Sequence, residues 1–227
     1  FHANVVQNML NAGDLDRGLI VAEGFDYEIV EKMYAPHDNL GIVATLKADG
    51  TIEKTVVGSV AESLPLDSDN EAAYGRLKEI FANPSLQMAT FTITEKGYSL
   101  VNGKGEQLAD VTADFAAGPE KPASYMGKVT SLLYARYKAD ELPIAMVSTD
   151  NCSHNGDKLY AAIAAFAKEW VDSIHYQFDV YGPKFEKAGL LALIGTGSAP
   201  GLICAATRDA MRYLDTCESI RNLVWEG

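Results

Sequence analysis

The sequence predicts an α/β fold with a mainly parallel sheet, and three observations carry that reading. Short apolar runs that read as buried strands, such as "GLIVAE" and "LPIAMVS", alternate with segments whose apolar residues recur at helical spacing. The one departure is a β-branched stretch, residues 41–60, interrupted by Asp49 and Gly50, the residue pair of a type I′ turn; it reads as an antiparallel hairpin inserted at the sheet edge. With 48% hydrophobic residues in 227, the chain has apolar material for a substantial core.

Taken in order, Val5, Val6, Met9 and Leu10 form one apolar helical face, closed by Asn11, Ala12 and Gly13. A strand over "GLIVAE" ends in Glu23, and a helix over Tyr27, Ile29, Val30 and Met33 is stopped by Pro36. After the hairpin come a helix over Ala72 to Phe81 and a strand at "MATFTIT". "EKGYSLVNGKGEQ" reads as a loop, and residues 110–124, with Gly118, Pro119 and Pro122, as surface connection. A helix with Met126, Val129, Leu133 and Tyr137 on one side leads into the strand "LPIAMVS". A longer helix follows, with Leu159, Ile163, Phe166 and Trp170 at helical spacing. The pattern becomes irregular at residues 172–189, which places a boundary there.

Composition excludes several function classes. A formal charge of -12, from 19 Lys and Arg against 31 Asp and Glu, disfavours nucleic acid and anionic membrane as partners and favours a small molecule. Three cysteines, Cys152, Cys204 and Cys217, without CxxC spacing, argue for free thiols in a reducing cytoplasm. No apolar run has the length of a membrane span, and no signal-peptide pattern occurs. The sequence carries no signal for an oligomeric state.

In open α/β sheets ligands gather beyond the carboxyl ends of the strands, so the residues just past each strand are the candidates for chemistry. Glu23 occupies such a place: an acid there accepts hydrogen bonds from ribose hydroxyls, or else it is a solvated turn residue. "TITEKGY", Thr92 to Tyr98, is a second place and "VSTDNCSHNG", Val147 to Gly156, a third. In the third, Asn151 can offer an N–H to a developing oxyanion. Alternatively Ser153 and Asn155 cap the following helix, while Asp150 and Asn151 satisfy loop backbone. Cys152 and His154 have no clear third ligand beyond Asp150, so no metal is expected and His154 reads as a capping or surface residue. Ser198 in "GTGSAPG" lacks the glycines of a nucleophile elbow, and there is no Walker A motif.

The second and third places together resemble the mannitol dehydrogenase and fructuronate reductase family of long-chain polyol dehydrogenases. "TFTITEKGY" is similar to that family's "LTVTEKGY", and "VSTDNCSHNG" to its "SCDNLPHNG", with Asp150, Asn151, His154, Asn155 and Gly156 in matching places. Phe1 and His2 resemble the end of its "GxGxFHR" opening, although Ala3 stands where arginine is usual.

Over residues 1–172 the resemblance implies an incomplete, Rossmann-like dinucleotide-binding domain, with NAD or NADP as cofactor. Its substrate would be a polyol, or a keto sugar or sugar acid in the reverse direction. It puts Phe1, Glu23, Glu95, Lys96, Ser148 and Asp150 on the cofactor side and Asn151 at the reacting oxygen. The family's catalytic lysine lies in a helical C-terminal domain, and its "K-x-x-x-L-N-x-x-H" pattern does not occur in this sequence. A general base is therefore missing from the motifs present, and turnover by this chain would suffer.

The last segment, residues 173–227, resembles from about residue 175 the saccharopine dehydrogenase-like oxidoreductases, with "GTGSAPGLICAATR" as its most specific part and a short α/β pattern. The glycines at 195, 197 and 201 suggest a phosphate loop, yet only 26 residues follow Gly201, too few for the βαβ unit of about 30 that a dinucleotide fingerprint needs. Two other readings stand beside the polyol dehydrogenase: a non-catalytic nucleotide-binding or assembly remnant, and an amino-acid or polyamine dehydrogenase of the saccharopine type.

Overall fold

The structure is a computed structural model that describes residues 2–140 and 143–178, the last eight by backbone alone. Phe1, Ser198, Cys204, Cys217 and the "GTGSAPG" loop lie outside the described residues. The chain forms two compact units, one ending at Ala73 and one starting at Tyr74.

The first unit opens with helix α1, His2–Ala12, whose Met9 is buried. The helix closes where the sequence places its stop: Gly13 N–H bonds to Leu10 C=O at 3.2 Å and Asp14 N–H to Met9 C=O at 2.9 Å. Strand β1, Leu19–Glu23, follows. The next segment is not the helix expected up to Pro36. Residues Ile29–Tyr34 wind as a π-type turn, with Ala35 N–H bonded to Val30 C=O, and Ala35–His37 tighten into a 3₁₀ turn. Pro36 has no N–H to give and its ring crowds the carbonyl four residues back, so the helix widens before it and narrows at it. Asp38 and Asn39, both left-handed, then turn the chain.

The hairpin pairs β2, Gly41–Leu46, with β3, Ile52–Val57, from Gly41 opposite Val57 to Leu46 opposite Ile52. Its turn is not type I′, which needs positive φ at both central residues. Only Gly50 is left-handed (φ 83°); the loop is Ala48, Asp49 and Gly50, closed by Gly50 N–H to Lys47 C=O at 3.0 Å. Asp49 accepts from both the N–H and the hydroxyl of Thr51, at 2.9 and 2.6 Å, which suits negative φ at Asp49 and lowers its carboxyl pKa. The hairpin stands as its own two-stranded sheet rather than extending another, and it ends at Val57. One face of it, Ile42 opposite Val56 and Leu46 opposite Ile52, is exposed to between 57 and 76%.

Val60 belongs to a strand the periodicity did not separate from the hairpin: β4, Val60–Pro65, pairs parallel to β1 and brings Pro65 opposite Glu23. Ser59 anchors this corner. Its carbonyl takes Leu19 N–H at 2.7 Å, and its fully buried hydroxyl donates to Ala3 C=O at 2.6 Å. Gln7 of α1 accepts Gly58 N–H at 2.8 Å. Val57, Val60, Leu66, Val30, Met9 and Ala73 are the buried apolar groups among the described residues of this unit.

Helix α2, Glu71–Ala82, leads into the second unit. Strand β5, Met88–Phe91, stops three residues short of the expected "MATFTIT" because Ile93 and Thr94 turn into a single helical turn, α3, Thr94–Gly97. The glycine-rich loop beyond it carries an antiparallel bridge between Val101 and Gln107. Residues 110–124, expected to be surface connection, begin instead inside helix α4, Ala109–Ala117, which buries Val111 and Asp114. The buried carboxylate explains how a helix fits there. Asp114 Oδ1 accepts Ala123 N–H at 2.8 Å, and Oδ2 accepts the Ser124 N–H and hydroxyl at 2.8 and 2.5 Å, so the acid organises the Pro-rich connection that follows.

Helix α5, Tyr125–Asp140, is buried on nearly every side from Met126 to Tyr134, so the single apolar face read from its sequence was too narrow. Strand β6, Ala145–Ser148, is buried at all four positions and pairs parallel to β5, Met88 opposite Ala145 through Phe91 opposite Ser148. A strand covered on both faces reads as a continuous apolar run, which is why "IAMV" was legible. Helix α6, Asn155–Phe178, buries Leu159, Ile163, Phe166 and Trp170 as its spacing predicts. Phe166 meets Phe115 and Trp170 edge-on, at ring centroid distances of 4.7 and 5.1 Å.

Candidate functional site

The second unit brings two of the motif stretches together. Parallel pairing of β5 with β6 sets the start of "TITEKGY" beside the start of "STDN", and Thr149 N–H continues the ladder to Phe91 C=O at 2.9 Å. Past that point Asp150 takes over from the ladder. Its Oδ1 accepts Thr94 N–H at 2.9 Å, and its Oδ2 accepts Ile93 N–H at 2.9 Å and the Tyr98 hydroxyl. Thr92 and Thr149 share a hydroxyl–hydroxyl bond of 2.7 Å across the same gap.

Beneath this lies a buried polar layer. Tyr98, 3% exposed, is bonded through its hydroxyl to Ser148 Oγ at 2.8 Å as well as to Asp150. Burial, and then the bond to Asp150, raise the Tyr98 pKa well above its usual value, so the phenol stays a proton donor. Asn155 ties the first turn of α6 to the strand end: its Nδ2 donates to the carbonyls of Asp150 at 2.8 Å and Ser148 at 3.3 Å. Asn155 also caps as expected, its Oδ1 accepting Gly156 N–H at 2.7 Å. His154 supplies the first helical acceptor, taking Lys158 N–H at 3.0 Å, and its exposed ring sits 3.2 Å from Asp157.

Outside that layer the candidates face water. Asn151 and Lys96 are exposed, and Glu95 is exposed and paired with Lys158 at 2.5 Å. Cys152 is a half-buried free thiol whose N–H bonds to Asp150 C=O at 3.0 Å, and no cluster of three metal-ligating side chains occurs among the described residues. Ser148, Asp150, Asn151, Glu95 and Lys96 are therefore neighbours in one local construction. Tyr98 and Asn155 belong to it too, although the sequence singled out neither for the site; the tyrosine within "TEKGY" and the asparagine of "HNG" were the available signals.

Glu23, in the first unit, lies where the sequence put it, at the last residue of β1. Its Oε1 receives long, weak bonds from Phe25 and Asp26 N–H at 3.3 and 3.5 Å, and its Oε2 has no partner among the described residues. That is an acceptor held just past a parallel strand.

Parallel strand pairs with polar groups gathered beyond their carboxyl ends define a Rossmann-like α/β fold, the class in which ligands are received at those strand ends. No family model matches the chain. Among curated proteins, it is 49% identical over 173 residues to the D-mannonate oxidoreductase of Thermotoga maritima, covering 76% of this chain and 32% of that one. It is 30% identical over 168 residues to a mannitol 2-dehydrogenase of Cereibacter sphaeroides, 68% of this chain and 34% of that one. Among solved structures, the Pseudomonas fluorescens mannitol 2-dehydrogenase in ternary complex with NAD and D-mannitol matches with a TM-score of 0.63 and 26% identity, over 81% of this chain and 37% of that one. A D-sorbitol dehydrogenase in substrate-free form shares the fold, with a TM-score of 0.61 at 23% identity. Over the aligned residues the chain is similar to proteins of the mannitol dehydrogenase family. It spans about a third of the length of these relatives.

Proposed function

We propose that this chain carries the cofactor-binding part of an NAD(P)-dependent oxidoreductase of the mannitol dehydrogenase type, acting on a polyol or on the corresponding keto sugar or sugar acid. The observation that carries it is the junction of "TITEKGY" with "STDN" through Asp150, beyond paired parallel strands, where such folds receive ligands. The 49% identity to a D-mannonate oxidoreductase favours a sugar acid as substrate over an uncharged polyol.

The residues present fit the cofactor. Glu23 offers a carboxylate oxygen without a partner among the described residues, of the kind that accepts ribose hydroxyls, and its charge disfavours a 2′-phosphate, so NAD is preferred over NADP. In the second unit Lys96 and Asn151 are exposed, and Glu95 is exposed with one oxygen held by Lys158, beside a layer made by Ser148, Tyr98 and Asp150. The bound nicotinamide would supply the hydride acceptor or donor. Asn151 would hold the reacting oxygen with its amide N–H. Cofactor binding is the property assigned to these residues; the lysine pattern of the family's general base does not occur among them. A reducing cytoplasm suits the free thiol of Cys152.

Fluorescence titration with NADH, and separately NADPH, tests this. Saturable NADH binding below about millimolar concentration, tighter than NADPH, is the expected result. A flat titration up to that concentration would remove the oxidoreductase reading and leave a non-binding relative of the family.

A further inference from the structure

We infer that Asp150 is a positioning residue: by clamping the α3 turn onto the end of β6, it holds Glu95, Lys96 and Asn151 in the arrangement that receives the cofactor, without being a ligand itself. The inference rests on the NAD(P) reading above and assigns this acid a different part from direct contact.

The donors around this carboxylate all belong to the chain itself. Three donors of this chain, two main-chain N–H groups and a phenol, fill three of the roughly four acceptor positions of the Asp150 carboxylate. Charge-assisted bonds of that kind are short and directional, and a carboxylate that holds three of them is fastened on the side facing the α3 turn. The main chain of the same residue is fastened as well, through the Asn155 amide on its carbonyl.

What the clamp holds is a conformation the chain would not choose. Thr94 sits at φ 62°, in the left-handed region, where a β-branched residue is rare. His154, on the other flank of Asp150, is also left-handed at φ 54°. Such conformations persist where surrounding bonds over-determine them, and Thr94 N–H is fixed by Asp150 Oδ1. Tyr98 then locks the carboxylate from below, being bonded to Ser148 on its other side. Buried groups thus supply rigidity to exposed ones: the residues next to Thr94 and Asp150 in sequence, Glu95 and Asn151, are exposed. A binding group already held in place loses less entropy when ligand arrives.

The test uses this chain, with NADH fluorescence titration for binding and circular dichroism for the fold and its thermal midpoint. Tyr98→Phe is the critical variant, because a side chain buried this deeply reaches a cofactor only through Asp150 and Ser148. It is expected to weaken NADH binding roughly 2- to 30-fold with an unchanged spectrum. Asp150→Asn is expected to weaken it at least as much, since its amide nitrogen would face a backbone N–H. Adding Thr94→Gly to Asp150→Asn should recover part of the loss, because glycine adopts positive φ without the clamp. If Asp150→Asn binds as wild type, the residue positions nothing. If Asp150→Asn loses binding while Tyr98→Phe keeps it, Asp150 is a direct ligand and the inference is overturned. Should Asp150→Asn not fold, Tyr98→Phe alone decides between these results. A wild-type chain that never saturates with NADH removes the cofactor reading itself, and this inference with it.

Discussion

Trp170 donates its indole N–H to the main-chain carbonyl of Asp114 at 2.9 Å, joining α6 to α4 at the residue whose carboxylate also organises the loop to α5. The side chain and the carbonyl of one buried aspartate therefore serve two different connections. Asp114→Asn turns one acceptor oxygen toward donors as an NH₂, and is expected to cost about 2–3 kcal/mol. Trp170→Phe, which keeps the ring but drops the N–H, should cost about 1–3 kcal/mol, from the lost bond and lost ring contacts together. Urea unfolding of both variants checks the order.

Two helical glycines make a matched pair. A Cβ on Gly127 would lie 2.7 Å from both Asp114 Oδ2 and Ser124 Oγ, two atoms already bonded to each other. Gly127→Ala should therefore destabilise by about 1–3 kcal/mol. At Gly75, in the exposed face of α2, nothing lies within 4 Å of the added carbon, and Gly75→Ala should stabilise by about 0.5–1 kcal/mol. Thermal midpoints moving in opposite directions are the expected readout.

Arg136, 1% exposed, donates through Nη1 to the carbonyls of Phe81 and Asn83 and through Nη2 to those of Leu86 and Pro143. Burial lowers its pKa to about 10, and it gathers the end of α2 with the approaches to β5 and β6. Arg136→Met strands these carbonyls and is expected to cost about 3–5 kcal/mol; Arg136→Lys, with a compact ammonium in place of a planar fork, recovers only part. Calorimetry on the three proteins measures it.

Alkaline pH offers another check. Tyr98 and Tyr74 both have raised pKa values, chiefly from burial, so the folded state keeps protons that the unfolded state releases above the ordinary value of 10.0. Their contribution is whole below pH 10 and is lost as pH climbs from there toward the folded values. Stability measured by urea at pH 9 and pH 11 should fall, and the fall should be smaller in Tyr74→Phe relative to its own value at pH 9.

Glu23→Gln removes the charge beyond β1 but keeps an acceptor. Its expected signature is a narrowing of the NADH over NADPH preference by roughly tenfold, with weaker NADH binding as well. Paired titrations with the two nucleotides read it directly.

The parts of the fold that were legible in the sequence are those whose residues face a single kind of surroundings. Ile144 to Val147 is apolar throughout because both faces of β6 are covered, and Leu159 to Trp170 keeps helical spacing because α6 buries one stripe. Helix α4 was not legible, because its key buried group is an aspartate, and a charge reads as surface until its partners at Ala123 and Ser124 are known. Strand β4 runs on from the hairpin in the sequence pattern for a related reason: the break at Gly58 and Ser59 is set by bonds to Gln7, Leu19 and Ala3, distant in sequence. At the site, "TITEKGY" and "STDN" were visible as motifs. Their joining by Asp150, and the left-handed Thr94, are tertiary facts that no spacing encodes.

The outer face of the hairpin bears on handling at the bench. Ile42, Val56, Leu46 and Ile52 present cross-strand apolar pairs to water in the folded state. A solvatochromic dye used to follow melting would already glow on the native protein, giving a bright baseline and a shallow transition. Ellipticity at far-ultraviolet wavelengths is the better signal for every unfolding comparison above, and low protein concentration is the better condition.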